Sequence, residues 1–268
     1  MILTYYTVKV NLFLFFIRKF SRTARRSAAY CDARGGPALK QNTGSAVCTI
    51  EERTQTWTED DLPVLKAILS VPVWKSAAPH TAARRMDHYY RRCSRAFLHY
   101  CSIMLLPTAR AQFLQAGERG APLPCAVARM DCHITLQTPA LLSLYLDCTE
   151  WAGTPQALTL RRSDTWDVRT GYPIAAQDCF PHGVSLRQRC LAAAREKCSR
   201  QSEADMAVYA DHLSGRLRRN LNLRNFYLEK DGFRFFYQSC TIAPPYAGCP
   251  SFALPFSEEK GPFLPIIM

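Results

Sequence analysis

Among the chain's six histidines, only His133 has a chemically suggestive neighbour, Asp131, two residues away on an alternating apolar–polar stretch. Residues i and i+2 of a strand share a face, so the carboxylate could orient the imidazole for base work. Ser143 falls on the same face if the next stretch folds back, which would complete a hydrolase-like trio of Asp131, His133 and Ser143. An acid–histidine pair on a sheet surface is the commoner explanation. No G-x-S-x-G elbow accompanies the serine, and neither a dinucleotide-binding nor a phosphate-binding glycine loop occurs. No HExxH and no Cys/His cluster is present, so no metal, no cofactor and no catalytic residue is expected.

Twelve cysteines are a second chemical resource. No two are spaced C-x-x-C, which removes zinc-knuckle and thioredoxin readings. Cys93 and Cys101 are eight apart in a helical pattern, as are Cys190 and Cys198, while Cys132 and Cys148 take the apolar phase of alternating stretches. Small hydrophobes behave in this way, so reduced core thiols are favoured over a disulfide framework. That preference leans towards a reducing compartment. The four helical thiols are expected to react only after denaturation.

Aromatics offer a third. Asn225–Gln238 (NFYLEKDGFRFFYQ) reads as a hairpin turning at Asp231-Gly232. Alternation puts Phe226, Leu228, Phe233, Phe235 and Tyr237 in one phase and Tyr227 and Phe236 in the other. Either the second face is covered, or its aromatics form a contact surface. In the second case Tyr227, Phe236 and Tyr246, the tyrosine of the proline-rich Pro244–Cys249 loop, are the candidate ligand contacts.

Other elements must position these residues. Leu62–Trp74 alternates as a strand, with Pro72 marking an edge or bulge near its end. Residues 82–105 carry the helical stripe Met86, Tyr90, Cys93, Phe97, Tyr100, Cys101 and Met104, and Pro107 is expected to stop that helix. Residues 126–137 and 142–149 alternate as two strands joined by Thr138-Pro139-Ala140, and a third strand near 158–162 extends the sheet. Gly171 supplies a positive φ in a polar turn, and 185–209 reads as a second amphipathic helix. The fold class is therefore α+β, an antiparallel sheet built from hairpins with packed amphipathic helices.

Charge is uneven. The net charge is +12, and residues 1–56 hold nine basic residues against three acids, half of that excess. A basic arm attracts phosphates and anionic lipid. Without aromatic residues interleaved among the arginines, a solvated, disordered leader is the preferred reading, and nucleic acid is not the expected partner. Removing 1–56 is expected to leave the melting temperature nearly unchanged. The apolar run Val10–Ile17 is short for a signal-peptide core and its downstream flank is basic, and no run is long enough to span a membrane.

From about Trp57 the chain resembles the RsiV-like family, through SLYLD (Ser143–Asp147), RRSDTWDVRTGYPI (Arg161–Ile174), QDCFP (Gln177–Pro181), NFYLEKDGFRFFYQ (Asn225–Gln238) and IAPPYAGCPSFALPF (Ile242–Phe256). The order and spacing follow the family over roughly the last 200 residues. The resemblance implies a bacterial, usually extracytoplasmic, non-catalytic sensing or binding domain. In the anti-sigma factor that names the family such a domain binds lysozyme, and in peptidoglycan deacetylases it accompanies a separate catalytic domain. Where the family carries a histidine-bearing turn after SLYLD, this chain reads Ala152-Gly153-Thr154-Pro155-Gln156. No counterpart of the anti-sigma factors' membrane helix or of the deacetylase domain is read in these residues. The division expected is a leader at 1–56, an N-terminal half at 57–160 and a C-terminal domain at 161–268. The expected function is non-enzymatic binding of a protein, such as a lysozyme-like ligand, or of a cell-wall fragment. The alternatives are the Asp131/His133/Ser143 hydrolase and a basic-leader binder of nucleic acid or anionic membrane.

Overall fold

The structure, a computed structural model, describes residues 47–75, 81–151, 158–204, 208–257 and 261–262. The apolar run Val10–Ile17, Cys31 and the Ala152–Gln156 turn lie outside the described residues.

The strands in chain order are β1 (Val47–Glu59), β2 (Leu62–Lys75), β3 (Ala126–Gln137), β4 (Leu141–Trp151), β5 (Leu158–Asp167), β6 (Tyr172–Pro173), β7 (Phe226–Leu228), β8 (Gly232–Phe236) and β9 (Ser251–Pro255). The helices are α1 (Thr81–Tyr100), α2 (Leu106–Glu118), α3 (Leu186–Glu203) and α4 (Leu213–Asn220). β1 to β6 follow chain order in one mixed sheet, and β7-β8-β9 form a second, antiparallel one. The α+β class read from the alternation is correct. β2 and β3 are the parallel exception, paired Leu65↔Ala126 to Leu69↔Met130, as a helical crossover between them requires.

The chain divides into two compact units, the first ending within β3 at Met130 and also taking in Thr170–Tyr172. This boundary differs from the division at residue 160 read from the sequence.

In the first unit, β1 starts at Val47, inside the segment whose composition suggested an unstructured leader. It pairs along its whole length with β2. Among the described residues it has no second neighbour in the sheet and most of its residues are exposed, and an exposed strand shows no apolar alternation to read. β2 buries Val64, Leu65, Ala67, Leu69 and Val71. Pro72 pairs with Ile50 of β1, past the stretch that pairs with β3, where its missing N–H costs little.

α1 buries Met86, Tyr90, Phe97 and Tyr100, and Trp74 stacks on Tyr90 with ring centroids 5.8 Å apart. Cys93 is only half-buried, unlike the core thiol expected there. Pro107 does not stop the helix. A π-helical turn, Cys101–Leu105, precedes it, and α2 resumes with the proline in its first turn. The Leu106 N–H reaches five residues back to the Cys101 carbonyl, so the wide π turn takes up the change of register next to the proline, which has no N–H to donate. Gly171 has φ +69°, and a Cβ there would lie 2.6 Å from the Ala82 carbonyl oxygen. Arg85 donates to the Thr170 carbonyl at 2.8 Å and lies over the Tyr172 ring.

In the second unit, β4 and β5 pair from Leu141↔Asp167 to Glu150↔Leu158, so the third strand is longer than the five residues read from the sequence. α3 is capped by Ser185, whose hydroxyl accepts from the Gln188 N–H. Its Leu186, Cys190, Ala194 and Cys198, with Leu217 of α4, cover one face of the small sheet. That face presents Phe226, Leu228, Phe233, Phe235, Tyr237 and Phe252, the phase expected in the core. The hairpin turns one residue earlier than Asp231-Gly232. Gly232 already belongs to β8 and pairs with Pro255, and a Cβ on it would lie 2.5 Å from the Leu254 carbonyl oxygen. The glycine serves the approach of β9 rather than the turn.

Candidate functional site

The sequence-nominated residues separate into two environments within the second unit. Tyr227 and Phe236 are buried, 4% and 0% exposed. They cannot form the open contact face considered from the sequence, because that face of the small sheet is closed by side chains of β4 and β5. Tyr145 meets Tyr227 at 5.0 Å between centroids, and the Arg161 guanidinium lies 3.9 Å from the Tyr145 ring and 5.7 Å from the Phe236 ring. The exposed His133 ring also stacks on Tyr145, 4.7 Å between centroids.

Arg161 makes a bidentate pair with Asp147 at 2.8 and 2.7 Å. Burial opposes its charge, and the Asp147 hydrogen bond and charge outweigh that, so the guanidinium is held firmly protonated. Burial raises the phenol pKa of Tyr145 and Tyr227, with Arg161 opposing the shift in both. Both phenols are neutral at pH 7. Burial likewise pushes the Cys249 thiol up to about 11 despite Arg161, so it is not an activated thiolate.

Ser143 is fully buried, and its hydroxyl accepts the Leu228 N–H at 2.8 Å and lies 2.8 Å from the Thr165 hydroxyl. Thr135 donates to the Leu228 carbonyl at 2.7 Å, so β3, β4 and β5 jointly hold β7 through one polar knot. The serine expected on a wet face thus has structural partners, and His133 stands on Tyr145 rather than on Ser143. Asp131 is half-buried on β3. Among the described residues no group of three His, Cys, Asp or Glu side chains could hold a metal.

Tyr246 lies in the second environment, 67% exposed at the tip of a loop. The loop base is tied on both sides. The Gln238 side chain donates to the Arg161 carbonyl at 2.6 Å and accepts the Arg161 N–H at 3.0 Å. Thr241 donates to the Gln238 carbonyl at 2.6 Å, and the Tyr237 N–H donates to the Pro250 carbonyl at 2.9 Å. Ile242 and Ala243 are buried, and the Ala210 N–H donates to the Ile242 carbonyl at 2.9 Å. Pro245–Ala247 makes one 3₁₀ turn, and Gly248 leaves it at φ +62°.

Sequence reasoning did not nominate Asp147, Arg161 or Gln238. Each nonetheless sits inside a stretch that carries the RsiV-like resemblance.

A family model, "Protein of unknown function (DUF3298)", matches residues 183–257. The DUF3298 match spans α3, α4, the small sheet and the Tyr246 loop. Two DUF3298 crystal structures resemble the chain at 15% identity each. One, from Bacteroides fragilis, covers 80% of this chain and 92% of its own with a TM-score of 0.57. The other, from Pseudomonas aeruginosa, covers 80% and 91% with a TM-score of 0.48. At that identity the Bacteroides structure supports a DUF3298-like fold and nothing about activity. No curated protein matches the chain. Among the described residues no helix is long and apolar enough to cross a membrane.

Proposed function

We propose that the chain is an RsiV-like, non-catalytic binding module whose Tyr246 loop contacts a protein or a cell-wall-derived ligand. One observation carries this reading. A tyrosine is presented 67% exposed on a loop whose base is buried and hydrogen-bonded on both sides. A pre-ordered aromatic gives contact area at little entropic cost, which is why tyrosine is enriched among binding hot spots. The burial and hydrogen bonding of Ser143 support binding over the hydrolase alternative.

The test immobilises the full chain and measures hen egg-white lysozyme and a purified muropeptide as separate probes. One of them binds, and Tyr246→Ala weakens it by at least about tenfold, about 1.4 kcal/mol, with an unchanged melting temperature. Failure of both probes, or full binding by Tyr246→Ala, overturns the reading.

A further inference from the structure

Val208 and Tyr246 are the two large apolar side chains that stand exposed among the described residues of the second unit, at 62% and 67%. They are far apart in the chain, yet hydrogen bonds bring their segments together. The Ala210 N–H donates to the Ile242 carbonyl at 2.9 Å. One residue on in the first segment and one back in the second, the Arg216 guanidinium bridges the Asp211 and Thr241 carbonyls at 3.0 and 3.4 Å. The pairs Ala210–Ile242 and Asp211–Thr241 advance in opposite directions, so the two segments run antiparallel. The same register, carried two residues towards the start of the first segment, brings Val208 beside Pro244, where the Tyr246 turn begins.

A single exposed apolar residue is ordinary on a protein surface, whereas two on segments tied side by side, with a proline pair between them, make a patch. Its chemistry is narrow. Ile242–Gly248 reads IAPPYAG, and its side chains offer one hydrogen-bonding group, the Tyr246 phenol. Pro244 and Pro245 have no N–H to donate, and Val208 adds only methyl groups. A muropeptide is covered with hydroxyls, amides and carboxylates, and burying these against valine and proline leaves them without partners. An apolar side chain on a folded protein gives up no hydrogen bond there and removes apolar surface from water on both sides. Asp211 and His212, further along the Val208 segment, are exposed and supply the polar rim that a protein interface carries.

We propose that Val208 and the Pro244–Tyr246 turn form one apolar seat for an apolar side chain presented by a folded protein. The inference rests on the Tyr246 reading and adds to it a second wall, Val208, and the choice of a protein over a cell-wall fragment.

The test titrates the full chain with hen egg-white lysozyme and with a purified muropeptide in a calorimeter. Lysozyme binds with a negative heat-capacity change, the mark of apolar burial, and the muropeptide does not bind. Val208→Asp sets a charge in the seat and weakens lysozyme binding by at least about tenfold, with an unchanged melting temperature. Val208→Ile keeps the seat apolar and keeps the binding. Ile103→Asp places the same charge on an exposed apolar residue of the first unit and leaves binding intact. Full lysozyme binding by Val208→Asp, with Tyr246→Ala weakened, overturns this inference and leaves the Tyr246 reading standing. Muropeptide binding that Tyr246→Ala weakens does the same. Failure of both probes overturns both. Affinity for phosphatidylcholine vesicles, or a dimer of the full chain, that Val208→Asp abolishes assigns the patch to lipid or to a second copy and overturns the inference as well.

Discussion

Phe235 and Phe236 are neighbours in β8 and face opposite ways, yet both are almost fully buried, at 1% and 0% exposed. Phe235 stacks on Phe252 at 5.4 Å beneath the helices, while Phe236 and Tyr227 pack against Tyr145 and Arg161. A strand normally offers one face to a core, so the cost of deleting a ring reports how many faces are covered. Phe235→Ala is expected to cost about 3–5 kcal/mol in urea unfolding. Tyr227→Ala/Phe236→Ala is expected to cost at least as much, because it opens a cavity on the second face and removes the Phe236 ring, one of the two that lie against Arg161. A double variant within about 1 kcal/mol of the parent would show that the second face is not a core.

Elements are held by backbone approach as much as by side chains. β9 runs so close to Gly232 that a Cβ would meet the Leu254 carbonyl oxygen at 2.5 Å, a distance real Cβ contacts do not reach. The clash is with backbone, which cannot swing away. Gly232→Ala is therefore expected to destabilise by about 1–3 kcal/mol, the range for overpacking a well-filled site. The loss should be visible as faster amide exchange in β9 than in β4 or β5. Unchanged exchange in β9 would show that the strand accommodates the methyl group. The same reasoning corrects the expectation for removal of residues 1–56. That cut takes ten residues of β1, Val47–Thr56, and with them most of the β1–β2 pairing, so stability cannot be indifferent to it.

For the whole molecule, the buried acids that remain neutral set the alkaline limit. Burial pushes Cys249 up to about 11 and Cys48, Cys179 and Cys190 up to about 12, from an ordinary 9.0. The folded state holds these protons more tightly than the unfolded chain. Their contribution to stability is whole below about pH 9 and is lost as pH rises towards 11 and 12. The urea midpoint is expected to be level from pH 7 to 8.5 and to fall steadily above 9, with half-buried Tyr145 and buried Tyr227 adding to the fall. A midpoint unchanged at pH 10.5 would show that the thiols are open to solvent.

Much was legible before any coordinates, because local periodicity is written in the chain. The bounds of β3, the burial of Met86, Tyr90 and Phe97, the Phe226–Tyr237 core phase and the positive φ of Gly171 all follow from alternation, helical spacing or glycine's freedom. Cys101, Cys190 and Cys198 follow the same rule as small buried hydrophobes. What tertiary structure alone decided is everything set by a second surface. β1 was hidden because an edge strand needs no apolar alternation. Pro107 remained in the helix because a π turn re-set the register before it. Ser143 read as wet because alternation assigns a face without saying what covers it, and the cover is β7, some 85 residues later in the chain. Nothing along the chain marks Arg161 as the residue around which Asp147, Tyr145 and Gln238 close. Periodicity is a property of neighbours along the chain, whereas cover is a property of neighbours across it. Only the folded structure could therefore turn Tyr227 and Phe236 from candidate contacts into core and leave Tyr246 in the solvent.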